Sequence, residues 1–284
     1  MTRKLQTWRF GNRSLELGRR TAVMGVLNVT PDSFYAGSRL SSPAAALQRA
    51  QEMVSAGADI LDVGGESSRP GAEPVSQKEE LRRVIPVIRS LRLRLEIPIS
   101  VDTVRAEVAR QALLEGADII NDIEALKQDR LMGEVVARSK AGIVLMQMRG
   151  SPRDMQEIPP SPDIWKELRK DLREGLQRAQ MAGIQRDRIV LDPGIGFGKT
   201  VKDNLAIINR LDVLADFDLP VLLGTSRKSF LGTMLGVSPP DRLWGTAASV
   251  TVSIVRGAHI VRVHDVAEMK MVADVTDALL NEEE

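Results

Sequence analysis

From residue 22 onward the chain repeats one pattern eight times: a short aliphatic or β-branched run, a turn rich in Gly, Asp and Asn, then a longer segment of helical periodicity. The apolar runs occupy residues 22–27, 60–63, 98–101, 118–120, 142–146, 188–191, 219–223 and 258–263. Strands that are apolar on both faces need cover on both faces, and helices between them supply it, so this rhythm specifies a parallel sheet wrapped in helices. The helical segments are expected at 43–56, 76–93, 104–115, 131–140, 163–182, 201–211, 241–256 and 266–280. Three of them lead into the next strand through one phrase: SAGADILDVG at 55–64, LEGADIINDI at 114–123 and VRGAHIVRVH at 255–264. Its glycine suits a left-handed helix cap, and the aliphatic pair that follows opens a strand. Eight such units predict an α/β fold, a (β/α)8 TIM barrel in a single domain over 21–284; a doubly wound open sheet is the alternative. Residues 1–20, where basic and apolar residues alternate around Gly11-Asn12, read as a short N-terminal β-hairpin.

Composition narrows the function. The 284 residues carry 39 basic and 38 acidic side chains, a net charge of +1, which argues against a general nucleic-acid or membrane-surface protein and leaves positive charge only local uses. With no cysteine, thiolate metal sites, disulfides and a cysteine nucleophile are excluded; with two histidines a His-rich zinc centre is disfavoured. The first twenty residues lack the apolar core of a signal peptide and no apolar stretch nears the roughly 18 residues of a membrane helix, so the expectation is a cytoplasmic protein. The stretch 150–162, rich in proline and polar residues, is long for a strand-to-helix connection and reads as a candidate mobile lid.

The segment LDPGIGFGKT, residues 191–200, imitates a phosphate-binding loop. That loop needs glycine five places before Gly198, and Pro193 stands there, removing a backbone donor and fixing φ. A dinucleotide-binding reading lacks its third glycine.

In a barrel the chemistry sits where the strands end at the C-terminal mouth. The runs here end in Asn28; Asp62 followed by Glu66 and Arg69; Asp102; Asn121-Asp122; Gln147 and Arg149; Asp192; Ser226-Arg227-Lys228-Ser229; and Arg262 with His264. Any single Asp or Asn after a strand is commonly a turn former or helix cap, and Asp122, Asp203 and Asp265 fit that role. Together, however, polar termini on aliphatic strands describe a cavity. Arg262 and His264 lie two apart and share a face, while His259 has the opposite parity to Arg262, so one histidine is a site candidate. That pair suits an anion, in preference to a structural Arg–Asp pair, with Asn28 beside it for a metal or a phosphate oxygen. Asp102, Asn121 and Asp192 offer acceptors to a ligand rich in N–H donors, such as an aminopyrimidinone ring, and Lys228 either meets that ligand or lies in solvent.

The motifs MGVLNVTPDSF (24–34), DVGGESSRPGA (62–72), SVDT (100–103), INDI (120–123), LDPGIGFGK (191–199), GTSRKSFLG (224–232) and IVRVHDV (260–266), in this order, closely resemble the dihydropteroate synthase family. The resemblance implies a folate-biosynthesis transferase that joins 6-hydroxymethyl-7,8-dihydropterin diphosphate to p-aminobenzoate with loss of diphosphate, aided by magnesium, as a homodimer. Carried over position by position, it implies that Asp102, Asn121, Asp192 and Lys228 hold the pterin. It also implies that Asn28, Arg262 and His264 hold diphosphate and Mg2+, and that Ser68, Arg69, Phe197 and Ser229 line the aminobenzoate and phosphate side. The loops TPDSFYAGSR and SSRPGAEPVS are then expected to close over the reaction.

Three positions depart from the common family pattern: Ala36 for Asp, Ser68 for Thr and Gln147 for His. Ser68 keeps the hydroxyl. Ala36 removes a loop charge, and Gln147 is expected to replace a titratable pocket partner with a neutral one. Two other readings share the barrel: a pterin-binding paralogue without activity, suggested by Ala36, and a pterin-dependent methyltransferase, disfavoured by the intact SRKS and RVH segments.

Overall fold

The computed structural model describes residues 3–29, 42–69, 71–155 and 157–281. The first barrel loop, with TPDSFYAGSR and Ala36, lies outside the described residues. A two-stranded antiparallel hairpin, β1 (Gln6–Phe10) and β2 (Arg13–Leu17), precedes eight parallel strands. These are β3 (Ala22–Asn28), β4 (Ile60–Gly64), β5 (Ile99–Asp102), β6 (Ile119–Asp122), β7 (Gly142–Met146), β8 (Ile189–Asp192), β9 (Leu222–Leu223) and β10 (Ile260–Val263). The sheet runs β8-β7-β6-β5-β4-β3-β10-β9, and a parallel bridge between Leu191 and Val221 brings its two edges together, so the TIM barrel and not the open sheet is formed.

Helices α1 (Pro43–Ser55), α2 (Gln77–Arg92), α3 (Ala106–Leu114), α4 (Met132–Ser139), α5 (Ile164–Met181), α6 (Val201–Asn209), α7 (Ser229–Leu235), α8 (Leu243–Val255) and α9 (Val266–Leu280) cover the strands. Two elements differ from expectation for physical reasons. The seventh barrel strand shrinks to two residues, because Pro220 has no N–H to give to a ladder. The seven-residue α7 is too short to leave a helical period in the sequence.

The repeated phrase has a shared structural role at the N-terminal end of the barrel. Its glycines, Gly57, Gly116 and Gly257, adopt φ of 94°, 102° and 105°, a region open to glycine at little cost. The polar residue two places on then accepts an N–H from a neighbouring strand or its approach: Asp59 from Val23 (2.8 Å), Asp118 from Ile99 (2.9 Å) and, through Nδ1, His259 from Val221 (3.2 Å). His259, just before β10, therefore stands at the base of the barrel, away from the mouth.

Strand alternation sends every second side chain inward, and the character of those side chains changes along the barrel axis. At the base, Met24, Ile60, Ile119, Val144, Val190, Leu222 and Ile260 pack in one apolar cluster with Trp8, Phe10 and Leu17 of the hairpin. Trp8 and Phe10 meet edge to face at 5.5 Å, and Trp8 Nε1 donates to the Arg188 carbonyl at 2.9 Å. Gly142 leaves room for them: a Cβ there would lie 3.2 Å from both Trp8 Nε1 and Phe10 Cβ. The hairpin is thus the floor of the barrel. Two residues further along the strands the same rows become Asp62, Asn121 and Arg262.

The connection from β7 to α5 is tied down. Arg149 binds Glu167 (2.7 Å) and the carbonyls of Gly198 (2.8 Å) and Pro159 (2.9 Å), while Met155 is buried beside Met146, Met148, Ile123 and Phe197. In the described part of the expected lid, Met155 contributes to an apolar cluster and the Pro159 carbonyl is held by Arg149, which precedes the stretch.

Candidate active site

The strand ends place the charged groups in a barrel mouth closed by low-dielectric walls. Arg262, on β10, donates through Nε to Asp62 Oδ2 at 2.7 Å and through Nη2 to Asp102 Oδ2 at 2.9 Å. Asn121 Nδ2 also reaches Asp62 Oδ2, at 3.2 Å. One guanidinium therefore joins strands β4 and β5 across the barrel to β10, and an amide from β6 completes the cluster. The Arg–Asp pair weighed from the sequence as the lesser alternative is present, because a buried guanidinium needs opposite charge at hydrogen-bond distance. Asp62 is the central carboxylate and was placed in no site role by its sequence position. The signal that marks it is an acidic residue inside an otherwise apolar strand, ILDVG.

Asp192 ends β8, and its Oδ1 accepts the Gly194 N–H at 2.7 Å. The turn that follows explains its glycines without a nucleotide: Gly194 has φ of 66°, and a Cβ on it would meet the Gln147 carbonyl at 1.9 Å. Only glycine lets this turn press against the end of β7. Lys199 then crosses beneath the turn, donating to the carbonyls of Gly194 (2.8 Å), Phe197 (3.2 Å) and Gln147 (3.3 Å). The turn presents the Phe197 ring to Lys228, whose Nζ lies 3.9 Å from the ring centroid, a cation–π contact. Lys228 is thus inside the mouth and not in solvent. Phe197, Met146, Met148, Met155 and Ile123 form an apolar wall beside the charged cluster.

His264, just past β10, shares a contact of 3.0 Å between its Nδ1 and Ser226 Oγ, and its backbone N–H donates to the same hydroxyl. Asn28 ends β3; a Cβ on Gly64 would lie 3.5 Å from Asn28 Oδ1 and 3.6 Å from Asp102 Cβ, so Gly64 opens the space between the two. Ser68 and Arg69 stand on the connection from β4 to α2, and Ser229 opens α7. Of the residues read as turn formers, Asp122 accepts from the Glu124 and Leu126 N–H groups and Asp203 forms a capping box with Thr200, whereas the Asp265 side chain makes no cap bond and pairs with Arg227 instead. Gln147 departs from expectation. Its amide turns outward to Asp171 of α5 at 2.9 Å, because Gln147 follows the inward-facing Met146 and takes the opposite face. The substitution therefore bears on the packing behind the wall.

Burial sets the charges. It pushes Asp102 up to about 7, against the pull of Arg262, and Asp192 up to about 6, against its Gly194 hydrogen bond and the nearby cations. It lowers Lys228 to about 8 and Lys199 to about 7, the latter against the attraction of Asp192. His264 falls to about 3 through burial and then the Arg262 charge, so its ring is neutral at physiological pH. Asp62 Oδ1, Asn121 Oδ1 and Ser100 Oγ are buried without a hydrogen-bond partner. Such atoms are costly unless a donor meets them. Fold and site together define a (β/α)8-barrel enzyme whose mouth suits a flat ring bearing N–H donors, held between carboxylates and an aromatic–thioether wall.

The pterin binding enzyme family model matches residues 24–264. Dihydropteroate synthases of Synechocystis sp. and Bacillus subtilis are each 47% identical to the chain, over 95% and 94% of it and 93% and 92% of their own lengths. Among solved structures, a Yersinia pestis dihydropteroate synthase with a sulfonamide drug complex matches at TM-score 0.92 and 39% identity, covering 98% of this chain and 100% of that one. A Xanthomonas albilineans dihydropteroate synthase with 4-aminobenzoic acid matches at TM-score 0.90 and 40% identity, covering 98% and 99%. The chain belongs to the pterin binding enzymes, in the dihydropteroate synthase family.

Proposed function

We propose that the chain condenses 6-hydroxymethyl-7,8-dihydropterin diphosphate with p-aminobenzoate to 7,8-dihydropteroate and diphosphate. The observation that carries the reading is the set of inward acceptors, Asp62, Asp102, Asn121 and Asp192, gathered beside Arg262 and the Phe197 wall. The pterin's amino and ring N–H groups are donors of the kind that Asp62 Oδ1 and Asn121 Oδ1 lack. Asp102 and Asp192, ionised once those donors arrive, oppose the positive charge that spreads over the pterin as its methylene carbon–oxygen bond breaks. The bonding pair leaves with the diphosphate. The arylamine nitrogen then bonds to the same carbon and sheds a proton, so no side-chain nucleophile is needed.

Lys228 holds the pterin from the Phe197 side. Arg262, His264, Ser229 and Arg69 receive the anionic groups, and the Arg69 charge already bears on His264. Ser68, Arg69 and Phe197 border the arylamine. Among the described residues no group of three His, Cys, Asp or Glu side chains is arranged to hold a metal. Magnesium fits a leaner donor set, since it keeps water and takes its substrate's phosphate oxygens, and Asn28 Oδ1 beside Gly64 is an oxygen that the described residues offer. When bound, the ion supplies charge neutralisation to the diphosphate.

The same reading includes a homodimer and a cytoplasmic location. Support for the dimer is the run of exposed apolar side chains on α7, α8 and α9: Met234, Leu235, Trp244 (80% exposed), Met271, Val275 and Leu279. Support for the location is the absence of cysteine, and no helix among the described residues is long and apolar enough to cross a membrane.

The test incubates the protein with the pterin diphosphate, p-aminobenzoate and magnesium and follows dihydropteroate and diphosphate together. Equal release of both, lost in Asp192→Asn and in Arg262→Ala, is the expected result. Tight pterin binding without product sinks the activity and favours the inactive paralogue.

A further inference from the structure

The connection between β4 and α2 carries Ser68 and Arg69, and both of its ends are held by one side chain from a different part of the barrel. Arg105 follows β5 and leads into α3. Its Nη1 donates to Glu66 Oε2 at 2.5 Å, at the start of the connection, and its Nη2 donates to the Val75 carbonyl at 2.8 Å, at the end. The same Nη1 binds Glu80 of α2, a carboxylate that is 1% exposed and so an anchor within the helix layer. Arg83 of α2 adds a bond to the Gly65 carbonyl at 3.0 Å. Between the two held ends, Gly71 N donates to the Pro152 carbonyl of the β7–α5 connection at 3.1 Å.

A guanidinium that bonds both ends of a ten-residue segment, 66–75, closes it as a short loop and removes most of the arrangements it would otherwise sample. Arg105 also sits three residues after Asp102, with its own N–H on Thr103 Oγ1 at 3.2 Å, so the bracket is built on the turn that follows Asp102. Planar donors on two nitrogens are required for this, and a lysine ammonium does not reproduce the fork.

We propose that Arg105 is a positioning residue for the arylamine half of the reaction: by bracketing residues 66–75 through Glu66 and Val75, it holds Ser68 and Arg69 at the p-aminobenzoate side of the mouth. This rests on the assignment of Ser68 and Arg69 to the arylamine given above.

The test measures steady-state kinetics in both substrates for Arg105→Met, Arg105→Lys and Glu66→Gln, with Ser68→Ala and Arg69→Ala alongside. Arg105→Met is expected to raise KM for p-aminobenzoate by about tenfold while KM for the pterin diphosphate changes less than about twofold. Arg105→Lys is expected to recover only part of this. Glu66→Gln leaves the Arg105–Glu80 pair in place, keeps the helix layer anchored and is expected to show the same selective rise, smaller in size. Hydrogen exchange of the peptide covering 66–76 is expected to quicken in Arg105→Met and Glu66→Gln without a general change elsewhere. Unchanged KM for p-aminobenzoate in Glu66→Gln and Arg105→Met, or an equal rise for both substrates, overturns the inference. If Ser68→Ala and Arg69→Ala also leave that KM unchanged, it is the assignment of the connection to the arylamine that has failed; if they raise it, the bracket alone has.

Discussion

The two ends of one barrel interior use the same strands and the same inward alternation to opposite effect. At the base, inward residues are aliphatic, and Trp8, Phe10 and Leu17 seal them from water. At the mouth, the same rows carry Asp62, Asp102, Asn121, Asp192 and Arg262, and buried acceptors remain without partners. The base satisfies its polar groups internally, as with Asp59, Asp118 and His259 on strand N–H groups. The difference teaches that stability and function are separated along the barrel axis: the closed end supplies folding free energy, and the open end retains charge at a cost to it.

The largest expected effect is on catalysis at the mouth. Asp192→Asn and Arg262→Ala are expected to lower kcat/KM by about 10²–10³-fold, since each removes charge aimed at the reacting pterin diphosphate, whereas Trp8→Ala should leave it within about twofold. Steady-state assays at matched folded concentration decide this, and a similar loss in Trp8→Ala would erase the division.

Stability should rank the other way. Trp8 is fully buried and gives its Nε1 hydrogen to Arg188, so Trp8→Ala is expected to cost about 3–5 kcal/mol in denaturant melts. Asp192→Asn is expected to cost nothing there.

A finer version concerns pH. Burial raises Asp192 from the ordinary aspartate value of 3.8 to about 6, so the folded state holds its proton more tightly than the unfolded state does. Folding stability is therefore lost as pH rises from about 4 through about 6, and the loss is complete above that. Asp192→Asn is expected to be the more stable protein at pH 8 by about 3 kcal/mol, with the advantage shrinking below pH 6 and vanishing near pH 4. Melts of both proteins across this range check it; an advantage that grows toward acid pH would contradict it.

The smallest effect separates the two histidines. Burial lowers His259 at the base to about 4 and His264 at the mouth to about 3, so neither ring should titrate by NMR between pH 5 and 8. Adding diphosphate should raise the value of His264 and leave that of His259 unmoved.

Much of this division is written in the chain. The eight units fell within a few residues of their final bounds, and polar residues at the strand ends marked the mouth, because alternation and turn chemistry are local. Asp62 escaped because its importance lies in sharing Arg262 with Asp102, a relation between residues 200 and 160 positions apart from that arginine. Gln147 was misplaced because a motif gives a residue type and not the face its strand turns to the pocket. The packing of Met155 in the stretch 150–162 was not legible, because its burial depends on Phe197 from another strand's turn.

The sequence by itself determined that strands and helices alternate, that glycine closes the helix ends, and that no thiol chemistry is available, since each follows from residue type and spacing. The tertiary structure alone decided which carboxylates share one guanidinium, where the hairpin seals the barrel and which arginine brackets the β4–α2 connection. Those depend on how separate strands and helices pack together, with the sheet closed between Leu191 and Val221. Closure brings groups from distant strands to hydrogen-bond distance inside a medium that excludes water.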